Sequence, residues 1–342
     1  MKTVIIGKRS SLTQHLNKII KDTLIISSND ILENNYKKKI PKQFNLIINL
    51  FYPSNKLGQK INYNLFLNLN ILYLKKFLNE INRKSINKII YTSSSSVNNN
   101  SNFFSNSKNL YSISKLLSEN YILSIKELKK KTIIARVFNM FDDNEDFSII
   151  SKIVTANRKK ETIFLNNKGQ SIRDFIYTGD VAKIYKKLLT TNLIGKFNIG
   201  TGNGYKIIDL IKCTDTKYKF KKQNIYEQDI SVANISRLKP LIKRMNFLRV
   251  EKFFKKKKIL KLKLDNINYS FPNSYLNNAN TMVIYGAGYS GKKICNEFLK
   301  NNKNVNIFFI DDDKKKIGKK YKKSPILDFN NFRNIHKSLK IT

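Results

Sequence analysis

The sequence predicts an α/β protein built on a doubly wound parallel sheet, followed by a small α+β subdomain and a shorter α/β unit. Apolar runs alternate with amphipathic stretches over roughly the first 140 residues, as in parallel sheets. Short strands and Asn/Asp/Gly turns continue to about residue 260, and a new strand–loop–helix begins near residue 281. The predicted boundaries are 1–262 for the first domain, 263–280 for a linker and 281–342 for the C-terminal unit.

The first sheet is predicted from five apolar runs. They are Thr3–Ile6, Thr23–Ile26, Leu46–Leu50, Lys88–Thr92 and Thr132–Val137. The stretches between them, such as QHLNKIIK and YSISKLLSENYILSIKEL, have the periodicity of helices that pack on a sheet. Right-handed crossovers between parallel strands would place these helices on both faces.

The composition favours a soluble, cytoplasmic protein. The 342-residue chain is 41% hydrophobic and has no apolar run long enough to span a membrane. It begins with a strand-like run and has no secretory leader pattern. Cys213 and Cys295 lack metal-like spacing and suggest a reducing compartment, while His15 and His336 are too few for a metal site. We therefore expect no metal.

The net charge of +41 has two interpretations. Lysine is spread along the whole chain with an excess of Asn and Ile, as AT-rich codon usage would produce without selection for binding. Runs such as Lys255–Lys258 and KKKIGKKYKK (314–323) keep nucleic-acid or anionic-surface binding open, although it is not favoured. In both cases the charge favours polyanionic ligands.

A candidate phosphate-binding loop follows the first strand, in VIIGKRSSLTQHL (4–16). Gly7 would make the tight turn, whereas Ser10 and Thr13 stand where a dinucleotide-binding loop usually has glycines. Lys8 and Arg9 would then lie in the loop and could hold a 2′-phosphate. Asp30, after the second strand, could instead bind an adenosine ribose, so NAD and NADP are both possible.

Two segments carry candidate catalytic side chains. KIIYTSSSSV (88–97) ends a buried strand in four serines, at the edge where open α/β sheets bind ligands, although serine is also common in polar loops. NLYSISKLLSEN (109–120) places Tyr111 and Lys115 on one helical face. A neighbouring ammonium would lower the pKa of the tyrosine and make it a usable acid/base. In so lysine-rich a chain, this spacing could also arise by chance.

The order of these segments resembles the active site of short-chain dehydrogenases/reductases, with Tyr111 placed 17 positions after Ser94. Later segments resemble the extended branch of that group, the NAD-dependent epimerase/dehydratase family, which acts on nucleotide sugars. These segments are TIIARVFNMF (132–141), GQSIRDFIYTGDVAKIYKKLL (169–189) and KFNIGTGNGYKIIDLI (196–211). The resemblance covers residue 2 to about 260 and implies a Rossmann sheet with a small α+β substrate subdomain.

The resemblance implies a catalytic set of Ser94, Tyr111 and Lys115. Tyr111 would be the acid/base at the sugar hydroxyl, and Ser94 would hydrogen-bond the same oxygen. Lys115 would bind the nicotinamide ribose and lower the pKa of Tyr111. Further cofactor-binding positions, besides Tyr111 and Lys115, are Gly7, Lys8, Arg9, Ser10, Leu12, Asp30, Leu50 and Val137.

The resemblance also implies a substrate site at Asn139 and Arg173, which match positions that contact a nucleotide diphosphate. An arginine fork suits phosphate geometry. From the residues alone, Asn139 could equally be a satisfied turn residue, and Arg173 could pair with Asp174 or Asp180.

The serine run bears on the reaction. Dehydratases of the family follow the active-site Ser/Thr with an Asp-Glu pair, whereas this chain has Ser95 and Ser96. SSSSV instead resembles the run in 4-epimerases of UDP-sugars. We therefore expect a nucleotide-sugar epimerase or a keto-sugar reductase of surface polysaccharide synthesis. The resemblance also implies a homodimer, formed through the helix that bears Tyr111 and its neighbour. The competing class is a non-catalytic dinucleotide-binding sensor or an RNA-associated scaffold.

The C-terminal unit carries an intact glycine motif. VIYGAGYSGKKI and FIDDDKKKIGKKYKKSPIL resemble the nucleotide-binding domain of capsule-type polysaccharide-biosynthesis proteins. A second nucleotide site would use Gly286, Gly288, Gly291 and Asp311. The short length suggests a half-Rossmann unit with a vestigial or regulatory role.

Overall fold

The computed structural model describes residues 1–49, 66–98, 110–143, 145–221, 230–262, 264, 267–268, 281–288, 291–292, 295–296, 299 and 306–332. The chain divides into two compact units, Met1–Asn266 and Ile267–Thr342. Most of the predicted linker and the candidate residue Leu50 lie outside the described residues.

The larger unit is built from twelve described strands. They are β1 (Lys2–Ile6), β2 (Thr23–Ile26), β3 (Phe44–Ile48), β4 (Ile86–Ser94), β5 (Thr132–Val137), β6 (Asn139–Phe141), β7 (Ile163–Leu165), β8 (Ile172–Tyr177), β9 (Gly195–Ile199), β10 (Asn203–Lys206), β11 (Tyr218–Phe220) and β12 (Ile230–Ser231). Six of them form one sheet in the order β2-β1-β3-β4-β5-β9. Every neighbouring pair in this sheet is parallel, which confirms the predicted fold class.

The structure describes ten α-helices in this unit. They are α1 (Ser11–Ile19), α2 (Ser28–Leu32), α3 (Tyr73–Glu80), α4 (Leu110–Ser124), α5 (Lys126–Lys129), α6 (Ile149–Lys159), α7 (Thr178–Leu189), α8 (Ile207–Lys212), α9 (Lys239–Ile242) and α10 (Val250–Lys256). No described helix is both long and apolar enough to cross a bilayer.

Both faces of the parallel sheet are buried. Val4 and Ile6 belong to one apolar cluster with Phe77 of α3, whereas Ile5 belongs to a second cluster with Leu16 of α1. Successive residues of a strand point to opposite faces, so a sheet covered by helices on both sides requires an uninterrupted apolar run. This requirement explains why the sequence of β1 shows no polar alternation.

The strand β4 extends beyond its predicted end at Thr92. Ser93 and Ser94 remain paired with Arg136 and Val137 of β5, so two of the four serines belong to the strand. Their side chains are thereby fixed at the carboxyl edge of the sheet, whereas a loop would leave them variable. This edge is the one at which ligands bind in open parallel sheets.

A smaller α+β subdomain follows the sheet. Its central strand, β8, pairs in parallel with β6 and β12 and antiparallel with β10. A separate parallel ribbon joins β7 and β11. Phe141, Phe175 and Phe253 belong to the apolar cluster of this subdomain.

The C-terminal unit has its own sheet and its own core. Its described strands are β13 (Ile267–Asn268), β14 (Thr281–Tyr285), β15 (Asn306–Ile310), β16 (Lys320–Tyr321) and β17 (Ser324–Leu327). Four of these form a sheet in the order β14-β15-β17-β16, and Met282, Ile307 and Phe309 are among its buried residues. This arrangement agrees with the predicted half-Rossmann unit.

Candidate active site

Three consecutive residues of β4 contact one face of α4. The Lys115 ammonium donates to the Thr92 carbonyl over 2.9 Å, and Ser93 Oγ donates to the Glu119 carboxylate. Ser94 is hydrogen-bonded to the hydroxyl of Tyr111. The helix residues are four positions apart, so they share one face of α4. The structure therefore brings the predicted set of Ser94, Tyr111 and Lys115 together.

Ser94 is held by the turn that follows it. Both the backbone N–H and the hydroxyl of Ser96 donate to Ser94 Oγ, over 3.2 and 2.9 Å. Because Ser94 Oγ accepts these bonds, its own proton can be donated to Tyr111 or to a substrate oxygen. Ser96 thus orients Ser94, and neither Ser95 nor Ser96 brings a carboxylate to the site.

The electrostatics differ from the sequence-based expectation. Burial raises the pKa of Tyr111, and the hydrogen bond with Ser94 only partly opposes this rise. Burial also lowers the pKa of Lys115 to about 7, which the Glu119 carboxylate opposes. A lysine with such a pKa carries only part of its charge at neutral pH, so the predicted lowering of the Tyr111 pKa is not observed. Desolvation outweighs the effect of the neighbouring ammonium.

The loop after β1 has the geometry of a tight strand-to-helix turn. Gly7 adopts a φ of 114°, a conformation that favours glycine, and its N–H donates to the Ile26 carbonyl. Ser10 is the N-cap residue of α1 with extended φ and ψ, so no glycine is required there. Lys8 and Arg9 are exposed on the loop.

Asn49, directly after β3, explains how the loop accommodates its missing glycines. The Asn49 side-chain N–H₂ donates to Ser10 Oγ over 2.8 Å and to Thr13 Oγ1 over 3.0 Å. Both hydroxyls act as acceptors here, so each retains a proton to donate. Asn49 Oδ1 is buried and has no hydrogen-bond partner within the described residues. Sequence reasoning did not find Asn49, because it lies far from the loop along the chain.

Three further predicted cofactor positions, Leu12, Val137 and Asp30, differ in burial and in hydrogen bonding. The Leu12 side chain is buried in the core with Ile5, so only its backbone could contact a ligand. Val137 is buried beside Ser94 in the register of β4 and β5. Asp30 caps α2 by accepting from the N–H and hydroxyl of Ser27, and these hydrogen bonds lower the pKa of Asp30.

The two predicted substrate residues lie on neighbouring strands of the smaller subdomain. Asn139 is on β6 and Arg173 on β8, and Asn139 Nδ2 donates to the Asp174 carbonyl over 2.9 Å. Asp180 pairs with Lys183 and also accepts from the Leu248 N–H. The Arg173 guanidinium donates to the Ile172 carbonyl.

The Asp174 carboxylate is committed to backbone groups. It accepts from the N–H of Thr201, Gly202 and Ala233 and from the Thr201 hydroxyl, at 2.6 to 3.1 Å. The side chain is fully buried, and burial raises the pKa of Asp174 against the effect of these donors. Asp174 therefore fixes the segment after β9 and the segment after β12 beside β8.

A second contact that the sequence did not predict joins α1 to the segment after β6. Asp142 accepts from Ser11 Oγ and lies 2.9 Å from His15 Nε2. The His15 ring in turn packs edge-on against Tyr177, with ring centroids 5.5 Å apart. These contacts join the helix of the candidate cofactor loop to the smaller subdomain.

Two glycines of the C-terminal motif, Gly286 and Gly291, lie in close contact. Gly286 has a φ of 94°, and a Cβ on Gly291 would lie 1.8 Å from the Gly286 carbonyl oxygen. The Asp311 carboxylate accepts from the Ala287 N–H over 2.6 Å and from the Asp313 N–H, which lower the pKa of Asp311. A Cβ on Gly288 would meet no atom within 4 Å. The second nucleotide site stays a prediction, with Asp311 holding the loop itself.

No group of His, Cys, Asp and Glu suited to a metal occurs among the described residues.

Comparisons with known proteins agree with this geometry. The sequence model of the NAD dependent epimerase/dehydratase family matches residues 3–200. A putative UDP-glucose 4-epimerase of Methanocaldococcus jannaschii is 26% identical over 174 residues, which cover 47% of this chain and 56% of that protein. The chain thus matches little more than half the length of this curated relative.

Solved structures share the fold. The UDP-N-acetylglucosamine 4-epimerase from Methanobrevibacter ruminantium M1, solved with UDP-N-acetylmuramic acid, superposes with a TM-score of 0.61 and 20% identity. This match covers 76% of this chain and 96% of the other. The UDP-glucose 4-epimerase of Thermus thermophilus, solved with NAD, gives 0.58 and 16%, covering 74% and 99%. By the family match over more than half of its length, the chain belongs to the NAD-dependent epimerase/dehydratase family.

Proposed function

We propose that this chain is a nucleotide-sugar 4-epimerase. The observation that carries the proposal is the contact of Ser94, Tyr111 and Lys115 at the sheet edge, where Ser95 and Ser96 bring no carboxylate. A 4,6-elimination needs an acid/base pair beside the sugar to remove and return protons, whereas epimerisation needs one acid/base at the reacting hydroxyl. The names of similar proteins, a putative UDP-glucose 4-epimerase and a UDP-N-acetylglucosamine 4-epimerase, also favour it.

The residues fit the NAD cofactor that the family uses. Gly7 makes the turn, and Ser10 and Thr13 keep hydroxyl protons that can be donated to phosphate oxygens because Asn49 donates to both. When bound, NAD accepts a hydride from the sugar carbon and returns it. We assign cofactor binding to this loop and to Lys115.

Each residue of the catalytic set has a separate task in the proposed reaction. Tyr111 accepts the proton of the sugar hydroxyl as the carbon is oxidised and returns it when the keto sugar is reduced. Ser94 donates to the same oxygen, and Lys115 holds the cofactor ribose and stabilises the tyrosinate by its charge. Arg173 and Asn139 bind the nucleotide diphosphate, to which an arginine fork is complementary.

A keto-sugar reductase would use the same residues, so a turnover experiment must separate the two reactions. The purified full chain is incubated with UDP-, GDP- and dTDP-sugars while products and the absorbance of NADH are followed. An epimerase converts a sugar to its 4-epimer with no net NADH consumed, whereas a reductase consumes NADH in proportion to product. Absence of turnover on the whole panel would contradict the proposal and favour a non-catalytic binding protein.

A role in surface polysaccharide synthesis is part of this proposal. It is supported by the resemblance of the C-terminal unit to polysaccharide-biosynthesis proteins and by the affinity of a +41 chain for polyanionic substrates. The buried free thiols of Cys213 and Cys295 suit the reducing compartment in which such nucleotide sugars would be used.

We also propose a homodimer formed through α4. Leu117 on α4 and Leu72, just before α3, are about half exposed although both are large and apolar. Replacing Leu117 by Glu should convert the dimer to a monomer in sedimentation experiments, since a charge would be buried at the interface. The exposed Leu193, changed to Glu, is the control. A monomeric wild-type chain would contradict the dimer.

Replacing Asn49 by Ala should weaken NAD binding about 5- to 50-fold, because the hydroxyls of Ser10 and Thr13 would lose the donor that orients them. Titration calorimetry with NAD measures this effect without catalysis. Asn45, at the other end of β3, provides the matched control as Asn45→Ala. Equal affinity of Asn49→Ala and wild type would show that the polar cluster has no role in cofactor binding.

A further inference from the structure

Glu119 is a buried carboxylate that the proposed mechanism does not use. It lies one turn beyond Lys115 on α4 and is 0% exposed. Arg136 of β5 donates to it through Nε over 3.0 Å and through Nη2 over 2.7 Å, and Ser93 donates through its hydroxyl. A carboxylate is seldom buried so completely unless its partners compensate for lost water. The two-pronged contact with Arg136 fixes its position.

We propose that Glu119 is a positioning residue that keeps the buried Lys115 ammonium protonated, with Arg136 and Ser93 fixing the carboxylate in place. The inference deepens the proposed function and rests on it for the importance of that charge: Lys115 must be protonated to donate to the cofactor ribose and to stabilise the tyrosinate. Glu119 touches neither substrate nor cofactor in this proposal, and acts through Lys115.

Lys115 and Glu119, both on α4, contact adjacent residues of the strand β4. Lys115 donates to the Thr92 carbonyl, and Glu119 accepts from the hydroxyl of the next residue, Ser93. Lys115 is 1% exposed, so water contributes little to holding its proton. At low effective dielectric, a negative charge one helical turn away has a strong effect on the protonation of an amine.

Among the residues that the structure describes, two aromatic rings also lie near the ammonium. Its nitrogen lies 5.1 Å from the ring centre of Tyr91 and 5.8 Å from that of Tyr111. Burial lowers the pKa of Lys115, and the Glu119 charge opposes this decrease. The described titratable and charged groups linked by contacts to Lys115, to Glu119 or to Thr92 are Tyr111 and Glu119 of α4, Tyr91 of β4, Arg136 of β5, Tyr185 of α7 and Lys196 of β9, whereas Asp180 of α7 pairs with Lys183. Among the described groups linked in this way, Glu119 is the one carboxylate.

Variants of Arg136 and of Glu119 should affect the pKa of Lys115 differently. The Arg136 guanidinium fixes Glu119 but also offsets part of the negative charge that Lys115 experiences. Replacing Glu119 by Gln removes the carboxylate and leaves the cation of Arg136 near Lys115, so the pKa of Lys115 must fall. Replacing Arg136 by Lys keeps a cation beside the buried Glu119 carboxylate, so the pKa of Lys115 should stay close to that of wild type. A purely structural contact predicts no such difference.

The test measures the protonation of Lys115 directly. The full chain is labelled with ¹³Cε-lysine, and the methylene resonances are followed against pH without substrate. One lysine should titrate near pH 7, far below the ordinary range of the others, and its resonance should be missing in Lys115→Met. In Glu119→Gln its midpoint should fall by about one pH unit or more.

Three further variants complete the experiment. Glu127→Gln, an exposed carboxylate on α5, removes the same charge and should leave the midpoint unchanged. Glu119→Asp retains the charge on a side chain one methylene shorter and should give a midpoint between those of wild type and Glu119→Gln. This variant also provides a result if Glu119→Gln does not fold. Arg136→Lys should give a midpoint close to that of wild type.

Two results would overturn the inference. One is an unchanged midpoint in a folded Glu119→Gln or, if that variant does not fold, in Glu119→Asp. The other is a downward shift in Arg136→Lys equal to that in Glu119→Gln. The outcome is separable from that of the proposed function. A downward shift in a chain that turns over no nucleotide sugar would support the inference and contradict the proposed reaction. Turnover with no shift would do the opposite.

Discussion

Replacing Tyr111 by Phe should lower the turnover of the nucleotide sugar by about 10²- to 10⁴-fold, the range expected for loss of a general acid/base. The substitution removes only the hydroxyl, which is hydrogen-bonded to Ser94. The ring stays available to pack beside the Lys115 ammonium, 5.8 Å from its centre, so folding and NAD affinity should be retained. Steady-state kinetics with the sugar identified by the panel, together with NAD titration, measure the two properties separately.

Tyr121 provides the matched control for this experiment. It lies on the same helix, but its hydroxyl donates to Asn79 at the surface over 2.8 Å. Tyr121→Phe should therefore turn over substrate like wild type. If Tyr111→Phe retained turnover within about threefold of wild type, proton transfer by Tyr111 would be ruled out, since a general acid/base contributes far more.

Replacing Asp174 by Ala should lower the free energy of unfolding of the larger unit by about 3–5 kcal/mol. The substitution leaves the buried N–H groups of Thr201, Gly202 and Ala233 without their acceptor, and each unsatisfied group costs about 1–3 kcal/mol. The surroundings of the carboxylate are closely packed, since a Cβ on the neighbouring Gly200 would lie 2.4 Å from the Ala233 Cβ. Urea unfolding followed by far-UV circular dichroism measures the change.

The exposed Asp146 serves as the control, because Asp146→Ala removes the same group without leaving a buried donor unpaired. It should change the unfolding free energy by no more than about 0.5 kcal/mol. A loss below about 1 kcal/mol in Asp174→Ala would mean that the three N–H groups find other partners. Asp174 would then not be the residue that fixes the segments after β9 and β12.

The parallel sheet could be predicted from sequence because its requirement is simple. Strands covered on both faces must be continuously apolar, and the run Val4–Ile6 satisfies this rule without help from distant residues. The spacing of Tyr111 and Lys115 is likewise a local pattern, since residues four apart share a helix face. This local rule predicts a shared helix face for Tyr111 and Lys115, and the structure brings both side chains close to the end of β4.

Contacts between distant segments could not be predicted in the same way. Asp174 was considered as a partner for Arg173, yet its carboxylate accepts from backbone groups of segments more than 25 positions further along the chain. Only the folded chain specifies which N–H groups remain unpaired beside β8. The pKa of Tyr111 was predicted in the wrong direction for a related reason, because the sequence shows the nearby lysine but not the burial that outweighs it.

Glu119 left a signal that sequence reasoning could have used. Arg136 interrupts the apolar strand TIIARV, and a charged side chain inside a buried strand requires a partner of opposite sign. Glu119, four positions after Lys115 on the predicted helix, is a carboxylate that could meet this requirement. A sequence motif limited to Tyr111 and Lys115 does not include Glu119, which lies one turn further along the same face of the helix.

The hydrogen bonds from Asn49 to Ser10 and Thr13 have a consequence for the history of this loop. An asparagine at this position has two acceptors only when positions 10 and 13 bear hydroxyls, so the three positions should covary among relatives. Homologues with glycine at positions 10 and 13 would have no hydroxyl for such a side chain to contact. A sequence motif restricted to the glycines of the loop would therefore not detect relatives with hydroxyl residues at positions 10 and 13. A motif that includes position 49 together with positions 10 and 13 would detect them.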